Sequence, residues 1–308
     1  MKILIIDKVH ESLEKKLNSH GFICHNAFYK KKDEIMTIIK EYTGIVIRSK
    51  FSIDQDFIDQ AKKLKFIARA GSGMENINTK YAARKNIICY NAGEGNAQAV
   101  AEHALGMILS LLHKINISNN ELKAGVWDRE KNRGIELSNK TICIIGFGNT
   151  GSAFANLLKN FNVRILAYDK YLKEHAFKTE DMKEIFEQTD ILSLHIPLTQ
   201  ETHQLVNQEF IEKFKKDIYL INTSRGKCVN SKDLVQAIKN GKIKGACLDV
   251  FDFESDTFSH LDDKSKDAKY LQNSDNTVLT PHIAGLTEES KIKIAKILTD
   301  KIISDFSQ

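Results

Sequence analysis

Three side chains, far apart in the chain, carry the groups needed to move a proton on a hydroxy acid. They are Arg225 in Thr-Ser-Arg-Gly, Glu254 after Leu-Asp-Val-Phe-Asp-Phe, and His282 in Thr-Pro-His-Ile-Ala-Gly. An imidazole titrates near ~6.5 and can both take and give a proton. A carboxylate beside it would orient the ring, and a permanently charged guanidinium can fork onto a substrate carboxylate or polarise a carbonyl. Oxidation at C2 also releases a hydride, and an earlier stretch offers a place for its acceptor. The apolar run Thr141-Ile-Cys-Ile-Ile145 leads into Gly146-Phe-Gly148-Asn-Thr-Gly151, and Asp169 follows 23 residues after the first glycine. Gly146 permits a tight turn, Gly148 lets the backbone approach a pyrophosphate, and Gly151 lets the following helix pack on its sheet. The helix start then offers its N–H groups to phosphate. Asp169 would accept hydrogen bonds from the adenosine ribose and repel a 2′-phosphate, which favours NAD over NADP.

Positioning such groups takes a parallel α/β framework, and the chain is patterned as one. Apolar runs at 2–6, 22–25, 44–47, 65–70 and 87–91 alternate with helical stretches, which makes a small doubly wound domain. The 97–124 stretch reads as one long connector helix. A second alternation then supplies six strands, 141–145, 164–168, 191–195, 218–222, 245–250 and 277–279, as in a Rossmann sheet. Residues 288–306 read as an amphipathic helix that returns to the first domain. The fold expectation is therefore α/β, with a Rossmann NAD domain (96–282) inserted into a smaller flavodoxin-like substrate domain (1–95 and 283–308). The polar stretch between Glu254 and Asn276 reads as a surface loop without a strand or long helix.

Composition narrows the class. At 308 residues and 42% hydrophobic the chain can bury about two domain cores. It has no run of ~20 apolar residues, and its N-terminus reads as a first strand instead of a signal peptide. The net charge of +5 is dispersed, and Lys30-Lys31-Lys32 is followed at once by acids, so no basic stripe for nucleic acid exists. Five cysteines without CxxC spacing read as structural thiols in a reducing cytoplasm, with no metal site.

At the other end of the chemistry, Gly71-Ser72-Gly73 follows a strand of the first domain, and backbone N–H groups in such a turn can hold a carboxylate. Arg48-Ser49 also ends a strand and would face the same cleft; a cation with a neighbouring hydroxyl suits a phosphate.

Gly-Phe-Gly-Asn-Thr-Gly, Leu-His-Ile-Pro-Leu-Thr, Asn-Thr-Ser-Arg-Gly, Gly-Ala-Cys-Leu-Asp-Val-Phe and Thr-Pro-His-Ile-Ala-Gly together resemble the successive motifs of the NAD-dependent D-isomer-specific 2-hydroxyacid dehydrogenases. The resemblance covers the whole chain and is greatest to short D-3-phosphoglycerate dehydrogenases, without room for a C-terminal regulatory domain. It implies that Arg225, Glu254 and His282 are catalytic. Asn149 and Thr150 would lie by the pyrophosphate, Thr223, Ser224 and Gly285 by the nicotinamide, and Asp249 by its carboxamide. Relatives acting on 3-phosphoglycerate carry Arg-Ser at 48–49, and Asn96 matches another of their substrate-side residues. Glu254 departs from the pattern in being followed by Ser255 where the family has proline, which leaves Asp252 and Asp256 as alternative carboxylates. The implied activity is NAD-dependent oxidation of D-3-phosphoglycerate, the opening step of serine synthesis, by a cytoplasmic homodimer joined near 97–124 and Trp127. Reduction of glyoxylate, hydroxypyruvate or another 2-keto acid is the alternative. An NAD-sensing, co-repressor-like interaction protein is the reading from a different class.

Overall fold

The computed structural model describes residues 1–172, 177, 181–254 and 265–306. They fall into two compact units, 1–97 with 286–306, and 98–254 with 265–285.

The first unit runs β1 (Lys2–Ile5), α1 (Ser12–Ser19), β2 (Ile23–Asn26), α2 (Lys32–Ile38), β3 (Gly44–Ile47), α3 (Gln55–Gln60), β4 (Phe66–Arg69), α4 (Thr79–Arg84) and β5 (Ile88–Tyr90). Its five strands are parallel in the order β2-β1-β3-β4-β5, the flavodoxin-like winding. The inner strands are apolar except for Lys2 and Arg69 at their ends, because both faces are covered. Leu4, Ile45, Ile47 and Ile67 pack with Phe57 on one face, and Ile3, Ile5, Val46, Phe66 and Ala68 pack on the other. That second face is closed by the C-terminal helix, Glu288–Phe306, through Ala295, Leu298 and Ile302. The side chains of Asp54 and Asn78 cap α3 and α4 by accepting N–H bonds three residues on.

The second unit opens with α5 (Ala97–Leu112) and α6 (Ile115–Lys123). The long connector expected from sequence is thus broken at His113–Lys114. Lys114 turns left-handed (φ 53°), and the Leu112 carbonyl is taken by the N–H of Ile135 at 2.9 Å instead of by the next helical turn. The chain continues through β6 (Thr141–Ile145), α7 (Asn149–Leu158), β7 (Arg164–Tyr168), α8 (Met182–Gln188), β8 (Ile191–Leu194), α9 (Gln208–Glu212), β9 (Ile218–Asn222), α10 (Ser231–Lys239), β10 (Ile243–Leu248), α11 (Lys266–Asn273) and β11 (Thr277–Leu279). The sheet is parallel, in the order β11-β10-β9-β8-β6-β7. Counted from β6, the strands described follow 2-1-3-4-5-6, where a classic Rossmann sheet has 3-2-1-4-5-6. The Phe177 carbonyl accepts the N–H of Ala167 at 2.8 Å, on the β7 edge where the third strand of that order belongs.

Alternate residues of these strands feed two cores. Cys143, Leu192, Leu194 and Leu220 face Phe210, Phe214 and Leu234, while Ile142, Ile144, Ile191 and Ile221 face Ile108, Phe154 and Leu158. Helix α11 corrects the expectation of a plain loop before Asn276. Ser265 caps it by accepting the N–H of Ala268, and Ala268 and Leu271, three apart, bury one face. The rest of that stretch, including Asp256, lies outside the described residues. Among the described residues no helix is long and apolar enough to cross a membrane, and no cluster of metal-ligating side chains occurs. All five cysteines are free.

Candidate active site

The glycine turn sits at the carboxyl end of β6, where the strand order reverses between β7 and β8. Two of its glycines are required by the protein itself. Gly146 is at φ +90°, and a Cβ there would lie 2.4 Å from the His195 carbonyl oxygen; a Cβ on Gly151 would lie 2.1 Å from the Gly146 oxygen. Gly148 differs, since a Cβ there would meet nothing within 4 Å. Asn149 and Thr150 form the first turn of α7. Beneath them His195 is buried, its Nδ1 3.2 Å from Thr150 Oγ1 and its Nε2 2.9 Å from Ser193 Oγ. Burial drives its pKa down from the usual 6.5 to about 3, so the ring is neutral. Asp169, just past β7, accepts the N–H of Phe147 at 2.7 Å and those of Tyr171 and Leu172 at 2.9 and 3.0 Å. These bonds tie its carboxylate to the glycine turn.

The catalytic candidates lie at the ends of β9, β10 and β11. After β9, the fully buried Asn222 accepts both the N–H and the hydroxyl of Ser224 (3.1 and 2.8 Å) and donates to the Arg225 carbonyl at 3.0 Å. Arg225 returns a bond from Nη1 to the Ser224 carbonyl at 2.6 Å. A Cβ on Gly226 would fall 1.9 Å from the Phe251 carbonyl, so only glycine lets this turn pack against the one that carries Glu254. Glu254 Oε2 lies 3.0 Å from His282 Nδ1. Asp252 is instead committed to the start of α10, with its oxygens 2.5 Å from Ser231 Oγ and 3.2 Å from Ser231 N. His282 itself sits in the left-handed region at φ 55°. Asp249, 1% exposed, accepts the Ile283 and Ala284 N–H groups, both at 2.8 Å, directly before Gly285.

In the first unit, the predicted substrate residues gather at the carboxyl ends of β3 and β4. Ser72 donates its hydroxyl to Asn96 Oδ1 at 2.8 Å, and Asn91 holds the Ser72 carbonyl at 2.9 Å. Gly71 takes φ +152°, with the Arg69 guanidinium where its Cβ would be. The N–H groups of Arg48 and Ser49 both donate to Asp7 Oδ2 (2.6 and 3.1 Å), and Arg48 is exposed.

The family model of the D-isomer specific 2-hydroxyacid dehydrogenase NAD-binding domain matches residues 105–284, more than half of the chain. The chain belongs to that family. Among its dehydrogenase relatives, D-3-phosphoglycerate dehydrogenase of Methanocaldococcus jannaschii is 34% identical over 98% of this chain, which spans only 57% of that protein's length. Hydroxypyruvate reductase of Thermotoga maritima is 36% identical over 89% of this chain and 88% of its own. The crystal structure of Aquifex aeolicus D-lactate dehydrogenase, complexed with NAD and lactic acid, superposes with a TM-score of 0.83 at 26% identity, covering 98% of this chain and 95% of that one.

The residues present fit the cofactor that the dehydrogenase family's NAD-binding domain implies. Open space lies over Gly148 while Gly146 and Gly151 are packed tight, which is the cradle a pyrophosphate needs. At the same carboxyl edge of the sheet, just past β9, Thr223 is buried, and its hydroxyl oxygen has no protein partner among the described residues. A buried polar atom without a partner is costly, so one supplied by a bound molecule accounts for it. Sequence reasoning missed Asn222 and Asp7. Each is a polar residue ending or following an apolar strand, a signal shared by many turns, and only the fold shows that their side chains brace Arg225 and Arg48.

Proposed function

We propose that the chain is an NAD-dependent oxidoreductase that interconverts a D-2-hydroxy acid and its 2-keto acid, with D-3-phosphoglycerate as the substrate and the first step of serine synthesis as its place. The observation that carries the reading is the 3.0 Å Glu254–His282 pair, set beside a buried Asp249 and following a dinucleotide turn. With Nδ1 directed at Glu254, His282 uses Nε2 to take the proton from the C2 hydroxyl in oxidation and to return it in reduction. Glu254 fixes the ring orientation and stabilises the imidazolium as it forms. Arg225, braced by Asn222, binds the substrate carboxylate. When bound, NAD supplies the hydride acceptor. Gly146, Gly148, Asn149, Thr150 and Gly151 would hold its pyrophosphate, Asp169 its ribose, and Thr223, Ser224, Asp249 and Gly285 its nicotinamide end.

In the first unit, Ser72 and Gly73 N–H groups would receive a carboxylate, with Gly71 shaping the turn and Asn96 holding Ser72. Arg48 and Ser49 would receive the phosphate. Residues 1–95 with 283–308 form the substrate domain in this reading, and 96–282 the NAD domain. A homodimer is part of it, because Ile115, Leu122, Val126 and Trp127 are large apolar residues 48–76% exposed around α6. Five free thiols fit a reducing cytoplasm. Hydroxypyruvate or glyoxylate reduction is the second reading. It is favoured by the likeness to the Thermotoga maritima hydroxypyruvate reductase, 36% identical over 89% of this chain.

The test is NADH absorbance with purified protein. 3-Phosphoglycerate with NAD is offered in one direction, and 3-phosphohydroxypyruvate, hydroxypyruvate and glyoxylate with NADH in the other. Preference for the phosphorylated pair supports the first reading. Preference for an unphosphorylated keto acid replaces its phosphate site by the second reading. NADH binding without turnover of any substrate defeats both and favours a sensing role.

A further inference from the structure

We propose that His103 and Thr280 are positioning residues for His282, acting through the buried carboxylate of Asp249 on a loop held in a left-handed backbone. The proposal rests on the reading of His282 as acid/base. A residue with a Cβ adopts φ 55° only where its surroundings hold it there. Here the holding group is Asp249, which grips the chain on both sides of His282. Its Oδ1 accepts the Thr280 hydroxyl at 2.6 Å and the Ile283 N–H at 2.8 Å, and its Oδ2 accepts the Ala284 N–H at 2.8 Å. The Asp249 carbonyl also accepts the His282 N–H at 2.8 Å.

Proton counting extends the chain of bonds by one residue. The short Thr280–Asp249 contact uses the only hydroxyl proton of Thr280, since an ionised carboxylate cannot donate. His103 Nε2 lies 2.9 Å from Thr280 Oγ1, so at that contact the imidazole is the donor. The same nitrogen is 3.7 Å from Asp249 Oδ1, too long for a hydrogen bond. His103 belongs to α5, which packs into the core of the second unit through Ala104, Ile108 and Leu111. A rigid helix therefore fixes Thr280, Thr280 fixes the rotamer of Asp249, and Asp249 fixes the two turns between which His282 stands. Without this support, the loop that brings His282 to 3.0 Å from Glu254 loses the carboxylate that grips it on both sides.

The experiment uses the full chain with Thr280→Val, Thr280→Ser, His103→Phe and His103→Gln. Valine keeps the shape of threonine and removes the hydroxyl; glutamine keeps a donor near the position of Nε2. Thr280→Val is expected to lower kcat roughly tenfold to a hundredfold, the usual result of a misplaced catalytic group. The KM for the keto acid should stay within about threefold. Thr280→Ser should restore kcat to within about threefold of the parent, and His103→Gln should outperform His103→Phe. Imidazole NMR of histidine-labelled protein reads the same event without any substrate. His282 should show one Nδ1–H tautomer in the parent and a mixture in Thr280→Val. The spectra thus decide the matter even if no acid in the panel is turned over, which would overturn the activity and leave the positioning intact. The proposal is overturned if the His282 signals are the same in Thr280→Val as in the parent. It is equally overturned if kcat falls only in step with thermal stability and the serine variant gives no rescue.

Discussion

Each sheet ends in a glycine-rich turn at the carboxyl end of an inner strand, and the two turns use their glycines differently. In the turn after β6, Gly146 and Gly151 are packed to contact and Gly148 is left open. The groups around this turn come from nearby in the chain, 146–151, with Asp169 and His195 from the two adjoining strands. In the turn after β4, the space at Gly71 is taken by the protein's own Arg69 side chain, and Ser72 is tied to Asn91 and Asn96. The first turn leaves space open at its middle glycine. The second is knitted to its own unit and presents side chains outward. A dinucleotide site can therefore be carried by a local motif, whereas a site for a small acid is assembled from side chains on several strands, and it is there that specificity can change without altering the fold.

The largest effect should come from removing the chemistry while leaving both turns alone. His282→Ala is expected to lower kcat by ~10²- to 10⁴-fold, the usual contribution of a positioned acid/base, with the NADH dissociation constant unchanged by fluorescence titration. Glu254→Gln should fall between this variant and the parent. Full turnover by His282→Ala would remove the acid/base assignment altogether.

Glycine substitutions separate the two turns next. Gly151→Ala forces a Cβ to within 2.1 Å of backbone, so both the melting temperature and NADH binding should fall. Gly148→Ala has open space around it, so the melting temperature should hold while NADH binding weakens by roughly tenfold or more, the effect of displacing a charged hydrogen bond. Gly71→Ala pushes on the Arg69 side chain and on a φ of +152°. It should cost ~1–2 kcal/mol of stability and raise the KM for the acid, with NADH binding intact. If Gly148→Ala bound NADH as tightly as the parent, the open space would have to serve something else.

Arg48→Ala is a smaller and more selective change. Loss of a charged hydrogen bond is worth ~1.5–3 kcal/mol, so KM should rise about tenfold to a hundredfold for 3-phosphohydroxypyruvate and barely for glyoxylate. Equal effects on both would place Arg48 on the carboxylate common to the two acids.

What could be read from sequence follows the same divide. The parallel strands were legible because buried strands are continuous apolar runs, and the glycine motif was legible because one strand–turn–helix contains all of it. The break at Lys114 was not, since no proline or glycine marks it and its cause is the distant N–H of Ile135. Helix α11 was hidden by its polar face, with only Ala268 and Leu271 buried. In the candidate site, the residue types of Arg225, Glu254 and His282 could be picked out, but the contact by which Ser231, from another element, engages Asp252 could not. Asn222, Asp7, Thr280 and His103 act only through contacts the fold creates.

The smallest effect at neutral pH, and the most diagnostic of the buried side of the dinucleotide turn, concerns His195. Its folded pKa of about 3 lies below the 6.5 of an unfolded histidine. Between those values the unfolded chain binds a proton that the native state refuses. Stability therefore declines as pH falls below about 6.5, by at most ~1.4 kcal/mol per pH unit from this group, and is unaffected above it. His195→Gln keeps polar atoms near Ser193 and Thr150 but has no proton to bind. Urea midpoints of the cofactor-free protein at pH 7, 6, 5 and 4.5 should therefore fall less steeply for the variant than for the parent. The turn after β4 rests on the Asn91 and Asn96 amides, which do not titrate, so Asn96→Ser should leave the parent's slope unchanged. Parallel curves for His195→Gln and the parent would mean that the ring under Thr150 takes up a proton as readily in the native state as in the unfolded chain, and so is charged below about pH 6.5. The first turn of α7 would then sit above a cation instead of a neutral acceptor, which changes what holds an anion at that turn from helix N–H groups alone to N–H groups backed by a full charge.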